Sequence, residues 1–272
     1  MKLLRFCMMA FAIALTMPML LSLGASLDNL RSPIMPLRLI PHWTLENYKY
    51  LLSNFPVWRW IFNSMFIAGA AMLVNTILSL LAGFAFEKKE FRGKETLYYL
   101  VLVTLAVPGT MLILPNYLVV KNLGLVNTYW GLILPSAVSA SMIYFSRNYF
   151  RGFPNEYLDE AQMLGLSEAR TFFRIVLPIS GPVVALAAIQ SFLAVYHNYM
   201  WQLLMIRDDK LMTINLGMQQ VITQYVTLKA DGLPAYSLTS AGTVLSFIPI
   251  VLIFILFQKR FIGGFYGPRG RQ

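Results

Sequence analysis

The chain has 272 residues, of which 57% are hydrophobic and only 12% charged. Soluble domains carry roughly a quarter charged residues, and a soluble fold of this size leaves too much surface in water to hide so apolar a composition, so lipid is the solvent it calls for. The single cysteine excludes an internal disulfide framework and a multi-cysteine metal site, and the net charge of +10 reads as basic loops held at the inner face of a membrane rather than as a nucleic-acid surface.

Six apolar runs follow one another at 6–23, 61–86, 97–120, 129–145, 183–206 and 238–257. About 20 apolar residues cross the hydrocarbon core as a helix, so the expected fold is all-α and polytopic, a single transmembrane domain over 1–272 with six spans. The first run follows Lys2 and Arg5 and also has the shape of a signal peptide, though no clean A-x-A site follows it. The segment from Ala25 to Trp60, with Pro33, Pro36 and Pro41, reads as an extended external lid. Pro108 and Pro115 in the third run, Pro135 in the fourth and Pro249 in the sixth predict kinked helices whose freed carbonyls find partners on neighbours. With the N-terminus inside, 14 basic residues fall on inside segments and 8 on outside ones, which predicts that both termini are cytoplasmic.

Between the fourth and fifth runs lies a charged loop, 147–178. Pro154 and Asn155 are helix-start residues. Gly165 can stop that helix at positive φ, and Ser167 can cap a second short helix through Arg174. Leu158, Ala161, Met163 and Leu164 alternate with Glu156, Asp159 and Glu160. The pattern predicts a compact knob offered to a partner protein. An amphipathic helix lying on the membrane is the other reading, and its acidic residues oppose it because the inner leaflet is negative.

In the fifth run Gln190, His197, Asn198 and Trp201 are spaced i, i+7, i+8 and i+11, one face of a continuous helix. Such polar groups line a cavity or bond a neighbouring helix, and both readings stand. No catalytic or metal set emerges. Gly93-Lys94 lacks the remainder of a P-loop. His42 and His197, the two histidines, belong to no metal motif. Gly165-Leu166-Ser167-Glu168 lacks the closing glycine of a nucleophile elbow.

The loop resembles the EAA loop of ABC importer permeases. Gly165, Phe172, Phe173, Arg174, Ile175, Leu177 and Pro178 fit the family pattern without a gap, which sets Asp159 on the family glutamate, Glu160 and Ala161 on its two alanines, and Leu164 in place of its aspartate. Trp43-Thr44-Leu45-Glu46-Asn47-Tyr48, Asn63-Ser64, Asn122-Leu123-Gly124-Leu125 and His197-Asn198-Tyr199-Met200-Trp201 are similar to the carbohydrate type, the second permease of maltose-like and glycerol-3-phosphate-like systems.

The resemblance implies a type I importer permease in the bacterial cytoplasmic membrane, not an enzyme. It implies a coupling helix formed around Glu156, Asp159, Glu160, Ala161 and Gly165 and backed by Phe172, Leu177 and Pro178. It further implies a second permease subunit, a cytoplasmic ATPase dimer that alone binds ATP and Mg, and an extracytoplasmic solute-binding protein. The solute is a sugar or polyol, with a glycerol-3-phosphate-like ester left open. The glycine-containing tail 261–270 reaches the ATPase in similar permeases, or is a disordered basic tail.

Overall fold

The computed structural model describes residues 2–28, 43–228 and 236–265. Residues 29–42 of the segment expected to be an extended lid, with Pro33, Pro36, Pro41 and His42, and the tail beyond residue 265 lie outside the described residues; the rest of that segment is largely not extended, being helical over Glu46–Asn54 and from Val57 onward.

All regular structure among the described residues is helical: α1 (Lys2–Ser26), α2 (Glu46–Asn54), α3 (Val57–Lys88), α4 (Lys94–Thr104), α5 (Ile113–Asn122), α6 (Tyr129–Ile133), α7 (Ala140–Arg151), α8 (Glu156–Met163), α9 (Glu168–Thr171), α10 (Leu177–Ile179), α11 (Gly181–Tyr196), α12 (Tyr199–Met205), α13 (Ile214–Leu228) and α14 (Tyr236–Phe265). Three stretches, Cys7–Ser26, Val57–Lys88 and Tyr236–Gln258, are single helices long and apolar enough to cross a membrane. Two further stretches qualify as bent pairs: α4 with Gly109–Asn122, bent by 95°, and Glu168–Ile179 with α11, bent by 87°.

Three of the six expected runs are therefore not straight rods. The third breaks after Thr104, because Pro108 has no N–H and disfavours helix at the residue before it; a 3-10 turn over Gly109–Leu112 leads into α5. Pro115 is harmless by comparison: it sits in the first turn of α5, where backbone N–H groups have no intrahelical partner anyway. The fourth run breaks at Pro135 into α6, a 3-10 turn at Leu134–Ser136 and α7. The fifth is interrupted after Tyr196: Asn198 takes the N-cap of α12 and its side chain accepts from Trp201 N. The spacing of Gln190, His197, Asn198 and Trp201 consequently does not trace one helical face. Pro249, in contrast, lies inside a continuous α14.

The chain divides into two compact units. The first comprises Met1–Asn63 and Met212–Ile250. In it the buried Asn47 amide donates to the carbonyls of Ser26 and Asp28 at 2.9 and 2.7 Å, closing the C-terminal end of α1 onto α2. Asn63 donates to Met212 O at 2.9 Å. Gly217 lets α13 approach the Trp60 ring, where a Cβ would come within 2.4 Å. Much of α1 stays uncovered by the chain itself, with Met8, Phe11, Ile13 and Leu15 all exposed, as expected of a surface solvated by lipid tails or a partner helix.

The second unit comprises Ser64–Leu211 and Val251–Gln272 and holds both the charged loop and the polar part of the α3 interior. Its centre is a cluster of Leu80, Phe84, Phe150, Phe153, Phe172, Val176 and Val183, joined by the half-buried Leu158 and Leu177. Phe84 packs edge-on to Phe150 and tilted against Phe172, each at 5.4 Å between ring centroids. Gly83 sits where α3 and α7 come closest: a Cβ there would lie 2.4 Å from Ser146 Cβ and 2.8 Å from Arg147 N.

Candidate functional site

The charged loop folds as its residues dictate. Asn155 stands at the N-cap of α8, with Glu156 and Asp159 in the first turn, where carboxylates oppose the positive end of the helix dipole. The Asn155 side chain does not cap α8. Its Oδ1 accepts from Lys88 Nζ at 2.7 Å, and the same ammonium donates to Phe153 O at 2.7 Å. Lys88 thus ties the end of α3 to the start of the loop.

At the other end Gly165 has φ +67°. Its N–H donates to Gln162 O at 2.9 Å and that of Leu166 to Ala161 O at 3.0 Å, the paired bonds of a Schellman stop. After it comes α9, led by Ser167, whose side chain makes no capping bond. The second helix does not run on regularly through Arg174. A π turn at Phe172–Val176 intervenes directly ahead of Pro178; in a regular helix the proline ring would press on the carbonyl four residues back.

The residues named for this loop fall into two sets. Ala161 and Phe172 are buried and Leu177 packs on the aromatic cluster, so these three hold the knob down. Glu156, Asp159, Glu160, Gly165 and Pro178 are exposed. Beside them Met163 and Leu164 are 80% and 77% exposed, an uncovered apolar tip on a short acidic helix. Asp159 also borders a groove of about 840 Å³ shared with Lys88, Arg151 and Glu168.

A second feature went unread in the sequence. Arg147, only 9% exposed, reaches from α7 to both neighbours. Its Nε donates to Glu87 at 3.1 Å, its two terminal nitrogens bond the Glu95 carboxylate at 2.8 and 3.4 Å, and its guanidinium lies 3.9 Å from the centre of the Tyr98 ring. Burial works against the charge, but the bonds from Glu95 and Glu87 outweigh it and hold the guanidinium pKa above its ordinary value. One side chain thus clamps α3, α4 and α7 seven residues before Pro154, the proline that leads into α8.

The third feature is the break at Pro135. Proline cannot donate to the carbonyl four residues back, Gly131 O. Trp201 Nε1 supplies that bond at 3.1 Å and is itself buried. Ser136 O, outside any helical ladder, accepts from Asn75 Nδ2 at 2.8 Å. Asn75 Oδ1 in turn accepts from Ser191 at 2.8 Å and Ser79 at 3.3 Å. A cavity of about 270 Å³ opens beside this network. Of the four residues named on the fifth run, Gln190 lines that cavity, His197 and Asn198 are exposed at the helix break, and Trp201 is a buried donor. Changing Trp201 to phenylalanine keeps an aromatic ring, though a smaller one, and leaves Gly131 O without the indole donor. The expected result is a loss of about 1 kcal/mol of stability, seen as lower thermal stability and yield of the purified protein. Unchanged stability would show that water replaces the bond.

Residues 75–263 match the family described as the binding-protein-dependent transport system inner membrane component. The chain belongs to that family. It is 34% identical over 81% of its length to the arabinooligosaccharides transport system permease protein AraQ of Halalkalibacterium halodurans, covering 77% of that protein. It is 31% identical over 75% of its length to the lactose transport system permease protein LacG of Rhizobium radiobacter, covering 72% of it. It is 29% identical over 89% of its length to the sn-glycerol-3-phosphate transport system permease protein UgpE of Escherichia coli O1:K1, covering 86%. Its fold is similar to a chain in the crystal structure of a bacterial ABC transporter involved in the import of the acidic polysaccharide alginate, with a TM-score of 0.80, 18% identity and 95% of each chain covered. The permease is a transport subunit rather than an enzyme, and the all-α importer-permease fold expected from its EAA-like loop is the fold it has.

Proposed function

We propose that the chain is one of two permease subunits in an ATP-driven importer of a sugar or related polyol, acting as a single membrane domain over 1–272. Its partners are a second permease subunit, a cytoplasmic ATPase dimer carrying ATP and Mg, and an extracytoplasmic solute-binding protein. The arabinooligosaccharide and lactose relatives support the sugar reading. The glycerol-3-phosphate relative keeps a small ester as the second reading.

One observation carries the mechanism: α8 presents exposed Met163 and Leu164 next to Glu156, Asp159 and Glu160, while Ala161, Phe172 and Leu177 fasten the loop to the ends of α3 and α7. A knob that is soft at its tip would absorb a push. One seated on packed aromatic rings passes a displacement on as a rigid body. In this reading the ATPases close on ATP, α8 moves with them, and the bent helices of the permease tilt to exchange outward for inward access.

The test is charge reversal at Asp159 and Glu160 together. Complementary groups on the partner would then be opposed, and ATPase subunits should no longer copurify with the inserted permease or be stimulated by solute. Copurification and stimulation at wild-type levels would remove α8 from the mechanism. The same reading places both termini in the cytoplasm, following the excess of basic residues on that side. A reporter fused after Gln272 should be active only as a cytoplasmic enzyme, and external activity would overturn the orientation.

A further inference from the structure

We propose that the cavity beside Asn75 binds one neutral, hydroxyl-rich ring of the transported solute, so that this subunit contacts solute itself, with Gln190 as the contacting side chain and Asn75 as the residue that positions the wall. The inference rests on the transporter reading and goes beyond it in assigning a site and a ligand class.

Depth comes first. Asn75 lies close to the midpoint of the 32-residue α3, which at about 1.5 Å per residue is longer than the roughly 30 Å hydrocarbon core. The break in the α-helical backbone from Leu134 to Ser139, a 3-10 turn followed by irregular chain, is held at that level by the Asn75–Ser136 bond. Irregular backbone at membrane depth is tolerated only inside protein or against a water-filled cavity, and here the cavity is present. Its lining includes Ser136, Ser139, Ser141 and Gln190.

Chemistry comes next. Asn75 has both ends of its amide engaged by Ser136, Ser79 and Ser191, so it is structural. Gln190 is exposed on the largely apolar α11, and its side chain has no hydrogen bond among the described residues. Its amide can donate and accept at once, and the Ser139–Ser141 hydroxyl pair, 2.9 Å apart, offers the same elsewhere in the cavity lining. That combination suits adjacent hydroxyls, each of which is also donor and acceptor.

The residues lining the cavity include no Lys, Arg or His. A phosphate or carboxylate would give up part of its hydration there without meeting a counter-charge, at a net cost. The N-terminus of α7 opens nearby, but Ser139 already accepts from Met142 N there. At about 270 Å³ the space lies just below the range of small-molecule pockets, about 300–1,000 Å³, which fits one ring and not an oligosaccharide.

The test uses the full transporter in lipid, with Cys7→Ser and Val138→Cys, and Ser141→Cys as a second reporter should the first fail to assemble. The rate of maleimide labelling is measured with lactose, arabinobiose, maltose or glycerol 3-phosphate present. At least one neutral sugar should slow labelling and glycerol 3-phosphate should not. Gln190→Leu should raise the half-protecting concentration about tenfold, the equivalent of ~1.4 kcal/mol, and Gln190→Asn should do so less. Protection by glycerol 3-phosphate overturns the neutral class. No protection by any sugar, in a complex that retains its ATPase, overturns the site alone. A Gln190→Leu curve equal to wild type removes Gln190 as the contact. Loss of the ATPase from the unsubstituted complex sinks the transporter reading itself.

Discussion

A Gly165→Val chain is expected to insert and assemble its membrane helices normally yet lose solute-stimulated ATP hydrolysis almost completely. Gly165 sits at φ +67°, and a Cβ there would meet nothing within 4 Å. The obstacle is therefore not a clash but the backbone itself. A left-handed conformation costs an ordinary L-residue roughly 1–2 kcal/mol, and a β-branched one is a genuine outlier there. Relief comes from leaving that conformation, which breaks the bonds from Gly165 N to Gln162 O and from Leu166 N to Ala161 O. The tip residues Met163 and Leu164 then lose their fixed direction. A graded series makes the cause readable: asparagine, which tolerates the left-handed region, should retain most activity, alanine less, valine least. Solute-stimulated hydrolysis measured in lipid with the partner subunits decides it. Equal activity for valine and asparagine would detach the mechanism from this turn.

Gly83→Val should fail earlier, at folding. The added Cβ would meet Ser146 Cβ at 2.4 Å and the backbone nitrogen of Arg147 at 2.8 Å. Backbone cannot step aside as a flexible side chain can, so α3 and α7 must separate. That separation also pulls Arg147 from Glu87 and loosens Phe84 against Phe150. Overpacking alone costs about 1–3 kcal/mol, and the weakened Arg147–Glu87 pair adds to it. Little assembled protein should survive extraction. Gly69, on the same helix, has nothing within 4 Å of its would-be Cβ, so Gly69→Ala should be neutral or slightly stabilising. Comparable yields for Gly83→Val and Gly69→Ala, by size-exclusion chromatography after mild heating, would contradict the close approach.

What could be read from the sequence was what is written locally. Asn155 as helix start and Gly165 as helix stop each depend on a few neighbouring residues, and both are where the charged loop placed them. The break after Tyr196 was also local, and Asn198 carried its signal as an N-cap residue, but the apolar composition of the run concealed it. The network around Asn75 was not legible, because its partners Ser136 and Ser191 lie 61 and 116 positions away. The only hint was an Asn-Thr pair and a serine inside an apolar helix, residues that a membrane interior admits for a reason. In the sequence alone Arg147 reads as one more loop cation, since nothing short of the fold brings Glu87 and Glu95 to it.

Those ion pairs separate two moments in the life of the protein. Orientation is set by lysines and arginines while the chain inserts, and acidic residues contribute little to that choice. Once folded, Lys89 is joined to Glu168, Lys94 to Glu90, Arg147 to Glu87 and Glu95, and Arg151 to Glu87. Four of the cations counted as inside are then partnered by carboxylates, which weakens their individual pull on anionic lipid headgroups. Arg92, Arg170 and Arg174, exposed and in no ion pair among the described residues, keep their charge in the folded chain, so the cations of these loops divide into a set spent on the fold and a set left for a partner surface.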